Sequence, residues 1–171
     1  MSSTATPLTA FAPVSRADAT VLILGSMPGV ASLEAQRYYA HPQNAFWFIM
    51  ASLHDDSENV PEHYDERINL ILNSKIALWD VLKHCIRPGS LDSKIERSSV
   101  VCNDFRQFFR KHTSLKRIGF NGKTAEQLFR KHVTSDLPDN IELVSLPSTS
   151  PAMATMTREQ KTAAWRKQLG Q

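Results

Sequence analysis

The chain has 171 residues, enough for one domain with a sizeable core and no need of covalent staples. Its 42% hydrophobic and 22% charged residues are ordinary for a globular protein; no apolar run nears the roughly 20 residues that span a bilayer, and two cysteines are too few for a four-cysteine zinc or iron–sulfur site. The net charge of +3 and the pI of about 9.0 lean toward an anionic partner.

Residues 1–17 are rich in Ser, Thr, Ala and Pro and are expected to form a partly ordered tail. They lack the basic start and apolar core of a secretory signal, so a cytoplasmic protein with free thiols at Cys85 and Cys102 is expected. Residues 18–171 are expected to fold as one domain. Its first element is the apolar run TVLIL (20–24), read as a strand buried on both faces and ended by Gly25. AFWFIMASL (45–53) is apolar nearly all round and predicts a buried helix. YDERINLILN (64–73) gathers Ile68, Ile71 and Leu72 on one helical face, and KIALW (75–79) reads as the second strand. VVCNDFRQFFRKH (100–112) sets Phe105, Phe108 and Phe109 at helical spacing. The strand KRIGF (116–120), the amphipathic helix KTAEQLFRKH (123–132), the strand IELVSL (141–146) and the helix TREQKTAAWRKQL (157–169) follow. Strands alternating with helices predict an α/β fold, a three-layer α/β/α sandwich around a roughly four-stranded parallel sheet.

In such a sheet a ligand sits beyond the carboxyl ends of the strands. Residues 25–29, Asp80, Asn121 and 147–152 all fall there, so they are expected to converge on one crevice. Other sites find no support. FNGKTA (120–125) resembles the end of a phosphate-binding loop, but the required earlier glycine is Arg117. The six histidines show no metal-binding spacing, and no G-x-S-x-G elbow occurs.

Four stretches in this order, LGSMPG, YYAHPQNAFW, FNGKTA and LPSTSPA, resemble the uracil-DNA glycosylase superfamily, and most of all its hypoxanthine-DNA glycosylase branch. The resemblance runs from about Val21 to Pro151. It implies monofunctional hydrolysis of the N-glycosidic bond of a deaminated base in DNA, without metal or cofactor, as in base excision repair. DNA is the implied partner. With no heptads and only a small basic excess, a monomer is expected.

Such an enzyme extrudes the target nucleotide into a pocket, stacks the base, stabilises the leaving anion and directs a water at C1′. The resemblance implies Phe46, in the Asn-x-Phe-Trp segment, as the stacking aromatic. Related branches hold the water with an Asn where this chain has Met27, a thioether that cannot orient water. In the hypoxanthine branch another Asn is implied, and Asn44 matches it; the same residue also stands where a helix N-cap belongs. Asp80 and Asn121 are candidates to read the base, with Ser26 and Met27 beside them. The alternatives are a short-turn cap for Asp80 and a turn for Asn121. An acceptor facing N1–H of hypoxanthine would oppose a lone pair on adenine and so reject it. Pro28, Gly29, Lys123, Ser148, Thr149, Ser150 and Pro151 are candidate DNA contacts, and Met153 a candidate wedge for the vacated stack. Leu146 stands where some relatives carry an anion-stabilising His.

Three rival readings remain open: excision of uracil from G·U mismatches, an inactive DNA-damage binder, and a hydrolase of free nucleosides.

Overall fold

A computed structural model describes residues 5–55 and 58–170. In chain order the elements are β1 (Leu8–Thr9), β2 (Val21–Gly25), α1 (Val30–Ala35), α2 (Phe46–Asp55), α3 (Tyr64–Asn73), β3 (Ile76–Asp80), β4 (Leu82–Cys85), β5 (Val101–Cys102), α4 (Phe105–Lys111), β6 (Arg117–Asn121), α5 (Lys123–His132), β7 (Glu142–Leu146) and α6 (Arg158–Leu169). The four main strands form a parallel sheet in the order β3-β2-β6-β7, as expected, each shifted one residue toward the C-terminus from its predicted start.

Period-two alternation along β2 splits the interior into two cores. Leu22 and Leu24 pack with Trp79, Phe105, Phe108, Phe109, Phe120, Leu128 and Phe129, the apolar faces of α4 and α5 included. Ile23 and Leu78 point the other way, onto Phe46, Trp47, Ile49, Met50, Ile71 and Trp165 from α2, α3 and α6. Both helix layers are thus fixed by alternate residues of one strand. A Thr157–Gln160 capping box starts α6, and Asp104 caps α4 by accepting from Gln107 N–H at 3.0 Å.

Several elements depart from expectation. The residues after β3 do not form a turn: they continue as β4, in a small antiparallel sheet of order β1-β4-β5. The first part of 100–112 is the strand β5, and the helix starts only at Phe105. Within the expected tail, residues 1–4 lie outside the described residues, but residues 8–14 pair on both sheets. Leu8 lies opposite Cys85, and Val14 bridges antiparallel to Leu78, covering the edge strand β3. This strap also accepts hydrogen bonds from the interior: Tyr38 Oη donates to Ala12 O at 2.9 Å and Trp79 Nε1 to Phe11 O at 3.2 Å.

Candidate active site

The register of the parallel sheet brings its four strand ends level. Gly25 lies opposite Asp80, Leu24 opposite Phe120, and Asn121 opposite Leu146. The connection leaves β2 for β3 on one side and later crosses to β6 on the other, so the crevice opens at the switch point. A cavity of about 510 Å³ occupies it, within the roughly 300–1,000 Å³ range of small-ligand sites.

Gly25 and Asp80 make its floor. A Cβ at Gly25 would stand 2.5 Å from Asp80 Oδ1 and 3.3 Å from Tyr39 Oη, so only glycine leaves the carboxyl its place. The Asp80 side chain is 4% exposed, and its Oδ2 is the one buried side-chain oxygen or nitrogen without a hydrogen-bond partner among the described residues. Burial pushes this carboxyl up to about 7; the neighbouring Asp92 charge adds to the rise and the Arg87 guanidinium offsets part of it. Asp80 caps no turn, because β4 follows it.

Tyr39 forms one wall. Its ring stacks on Phe46, with centroids 4.0 Å apart and planes at 22°. Its backbone is left-handed, with φ of 52°, a conformation that a bulky side chain adopts at a cost of about 1–2 kcal/mol. Burial, followed by the Asp80 charge, raises the phenol well above its ordinary range, so it stays a neutral hydroxyl. Phe46 is fully buried behind it and does not line the cavity. The cavity thus presents the Tyr39 ring, with Phe46 packed behind it.

Asn44 lines the cavity at the entry to α2. Its Oδ1 accepts from Phe46 N–H at 3.0 Å, so the amide does act as a local cap, while Nδ2 has no partner among the described residues. The segment after β7 closes the opposite side. Asn121 grips it at both ends of its amide: Oδ1 accepts from Thr149 N–H at 2.9 Å and Nδ2 donates to Thr149 Oγ1 at 3.0 Å. Thr149 O accepts from Ala45 N–H, and Lys161 Nζ, buried, donates to Ser150 O at 3.0 Å. Gly122, at φ 99°, lets Ser148 approach; a Cβ there would lie 3.2 Å from Ser148 Cβ.

The third side was not foreseen. Arg87 is buried and donates to three backbone carbonyls: Gly89 and Pro28 at 2.7 Å and Met27 at 3.5 Å. Ser90 Oγ accepts from Val30 N–H at 2.9 Å, and Ser26 Oγ donates to Asp92 Oδ1 at 2.6 Å. Residues 87–92 are thereby tied onto the 26–30 loop.

All the residues predicted for the site line this cavity except Phe46 and Lys123. Lys123 is exposed at the start of α5 and stands apart. Thr149 is 1% exposed and engaged through its N–H, its carbonyl and one lone pair of its hydroxyl, so it ties the loop to Asn121 and Ala45. Ser148 and Ser150 are half-buried, Pro151 is exposed, and Met153 is half-buried beside them. Pro28 and Gly29 border the cavity, with Ser26 and Met27 buried beneath. Tyr39, Arg87 and Asp92 are the residues that sequence reasoning missed. Among the described residues no group of three or more His, Cys, Asp or Glu side chains is placed to hold a metal ion, and no helix is long and apolar enough to cross a membrane.

Comparison with known proteins places this geometry among relatives. A family model described as the uracil DNA glycosylase superfamily matches residues 12–169. The chain is 37% identical over 114 residues to a protein of Methanosarcina barkeri (strain Fusaro / DSM 804) named hypoxanthine DNA glycosylase, covering 66% of this chain and 70% of that one. A protein of the same name from Methanosarcina acetivorans is 38% identical over 106 residues, covering 61% and 65%. Among solved structures, the solution NMR structure of a candidate uracil DNA glycosylase from Methanosarcina acetivorans is similar, with a TM-score of 0.73 and 30% identity. The match covers 95% of this chain and 98% of that one.

Proposed function

The chain belongs to the uracil-DNA glycosylase superfamily, and on that premise we propose that it releases hypoxanthine from deoxyinosine in DNA by hydrolysing the N-glycosidic bond. One observation carries the substrate assignment: a buried carboxyl, Asp80, with an unpartnered oxygen at the floor of a cavity walled by Tyr39. As a carboxylate, Asp80 accepts from N1–H of hypoxanthine. Adenine presents a lone pair at N1 and is refused, because two acceptors then oppose each other at the buried floor of the cavity. The base lies against the face of Tyr39. Asn44 Nδ2, a donor, stabilises the negative charge that develops on the departing purine. Asn121 acts chiefly by holding residues 148–151 in place. Ser148, Ser150 and the backbone of Pro28 and Gly29 meet the phosphates beside the extruded nucleotide, and Met153 fills the gap it leaves. The proposed action is hydrolytic and monofunctional.

Single-turnover assays on duplexes carrying inosine, uracil or only normal bases test this. Hypoxanthine release with no adenine release is expected. Release of uracil alone would transfer the assignment to the uracil branch, since uracil offers a similar N3–H beside O4. Tight binding without any abasic product would leave a damage-binding protein.

A further inference from the structure

Hydrolysis at C1′ develops two charges together, an anion on the leaving base and a cation on the sugar. The residues assigned so far serve the first. Asn44 lines the cavity with Oδ1 engaged by the Phe46 N–H, which leaves Nδ2, a donor, as the amide group without a partner among the described residues; a donor suits an anion and cannot take a proton from water. Met27, at the place where a water-holding residue would be sought, offers only sulfur.

We propose that Asp92 is the catalytic carboxylate on the sugar side, taking the proton of the attacking water and stabilising the cationic C1′; the assignment rests on reading this cavity as a glycosylase site. Asp92 and Asp80 are the two carboxylates of the cavity lining, and they differ in depth. Asp80 is 4% exposed at the floor. Asp92 is half-buried, and its neighbour Leu91, also in the lining, is 49% exposed, which sets this segment at the mouth. A nucleotide swung out of a duplex enters base first and leaves its sugar outermost. The deep carboxylate then meets the far edge of the base and the shallow one meets the glycosidic bond. Asp92 is also held ready. Ser26 Oγ fixes its Oδ1 at 2.6 Å, and Arg87 and Ser90 anchor the segment to the 26–30 loop. Its Oδ2 has no hydrogen bond, and no Lys, Arg or His lies within ion-pair distance, among the described residues.

In the step, a water oxygen bonds to C1′ as the C1′–N9 bond breaks. The electron pair of that bond leaves with the base. The water proton passes to Asp92 Oδ2 and is returned to the purine or to solvent, so the nucleotide and water yield an abasic sugar and hypoxanthine.

Single-turnover excision from an inosine duplex with Asp92→Asn and Asp92→Ala tests the proposal, alongside binding to a duplex carrying 2′-fluoro-deoxyinosine, which resists cleavage. Asn at 92 keeps the Ser26 hydrogen bond, because its amide oxygen still accepts. Both variants are expected to lose roughly 10²–10³ in rate while their affinity for the uncleavable duplex stays near that of the parent. Added formate is expected to restore part of the rate of Asp92→Ala by standing in for the missing carboxylate. An Asp92→Asn rate within tenfold of the parent would overturn the assignment. So would a folded Asp92→Ala that formate leaves unchanged, or losses of affinity that match the losses of rate. If Asp92→Ala does not fold, the Asp92→Asn rate decides alone. A parent protein that releases no base from any duplex would overturn the glycosylase reading itself, whereas turnover by both parent and Asp92→Asn removes only Asp92.

Discussion

In the proposed function, Asp80 joins stability and selectivity in one group. Its carboxyl rises from an ordinary 3.8 to about 7 on folding, mainly by burial, so the folded state holds a proton that the unfolded chain gives up between those pH values. The protein therefore loses stability as pH rises through that window, by up to about 4 kcal/mol at 1.36 kcal/mol per pH unit. Asp80→Asn is expected to melt higher than the parent at pH 8, with the difference closing toward pH 4, as read by thermal melts. On the proposed assignment of Asp80, the same proton governs recognition. The neutral acid can both donate and accept, and so fits adenine as well as hypoxanthine; discrimination between them is expected to fall as pH drops through about 7, measured as the ratio of single-turnover rates. Tyr39 and Phe46 separate just as clearly. Tyr39→Ala is expected to lose about 1–3 kcal/mol of base stacking, read as weaker binding of inosine DNA. Phe46→Ala should instead cost about 3–5 kcal/mol of stability by opening a cavity in the core. Sequence reasoning proposed Phe46 for the stack, whereas the structure buries Phe46 and lines the cavity with Tyr39, which stands in the same motif. What divides them is a left-handed backbone at Tyr39, and no spacing rule signals it for a tyrosine.

At the scale of elements, legibility followed the strength of periodicity. The helices at 64–73 and 123–132 were placed to the residue, and every parallel strand to within one. Each carries either a full helical stripe or a short run with an apolar centre, as brief as Ile118-Gly119-Phe120 in β6. The strands β1, β4 and β5 were not foreseen, since two to four residues are too few to show alternation, and Lys83-His84 interrupts the one run long enough to try. The helix α1 has only six residues. Arg87 was missed for a different reason: a buried arginine that serves backbone carbonyls looks, in sequence, like any surface cation. It is the pin between two loops. Arg87→Met keeps much of the volume and removes every donor, leaving the carbonyls of Met27, Pro28 and Gly89 short of partners. A loss of about 1–3 kcal/mol of stability is expected in denaturant melts, together with slower excision, because Asp92 and the 26–30 loop lose their shared anchor.

Across the whole molecule, the site draws on segments far apart in sequence, and its outermost support is the strap at residues 8–14. That strap receives the Tyr38 hydroxyl and the Trp79 indole, one residue away from Tyr39 and from Asp80 respectively. Deleting residues 1–12 is expected to lower the melting temperature and to depress excision beyond the loss of fold, since two interior donors, each costing about 1–3 kcal/mol when stranded, border the cavity wall and floor. Melts and single-turnover rates on the shortened chain at a temperature where it is folded would check this.

The three indoles also give the protein a voice of its own in the spectrometer. Trp47, Trp79 and Trp165 are all sequestered from solvent, and each donates its N–H to a backbone carbonyl, of Tyr38, Phe11 and Pro147 in turn. One abuts the tyrosine pair, one the strand that delivers Asp80, and one the root of the serine-rich loop. Emission from these fluorophores will shift whenever a swung-out nucleotide moves any of the three, so substrate engagement can be timed by stopped-flow without attaching a dye to either partner.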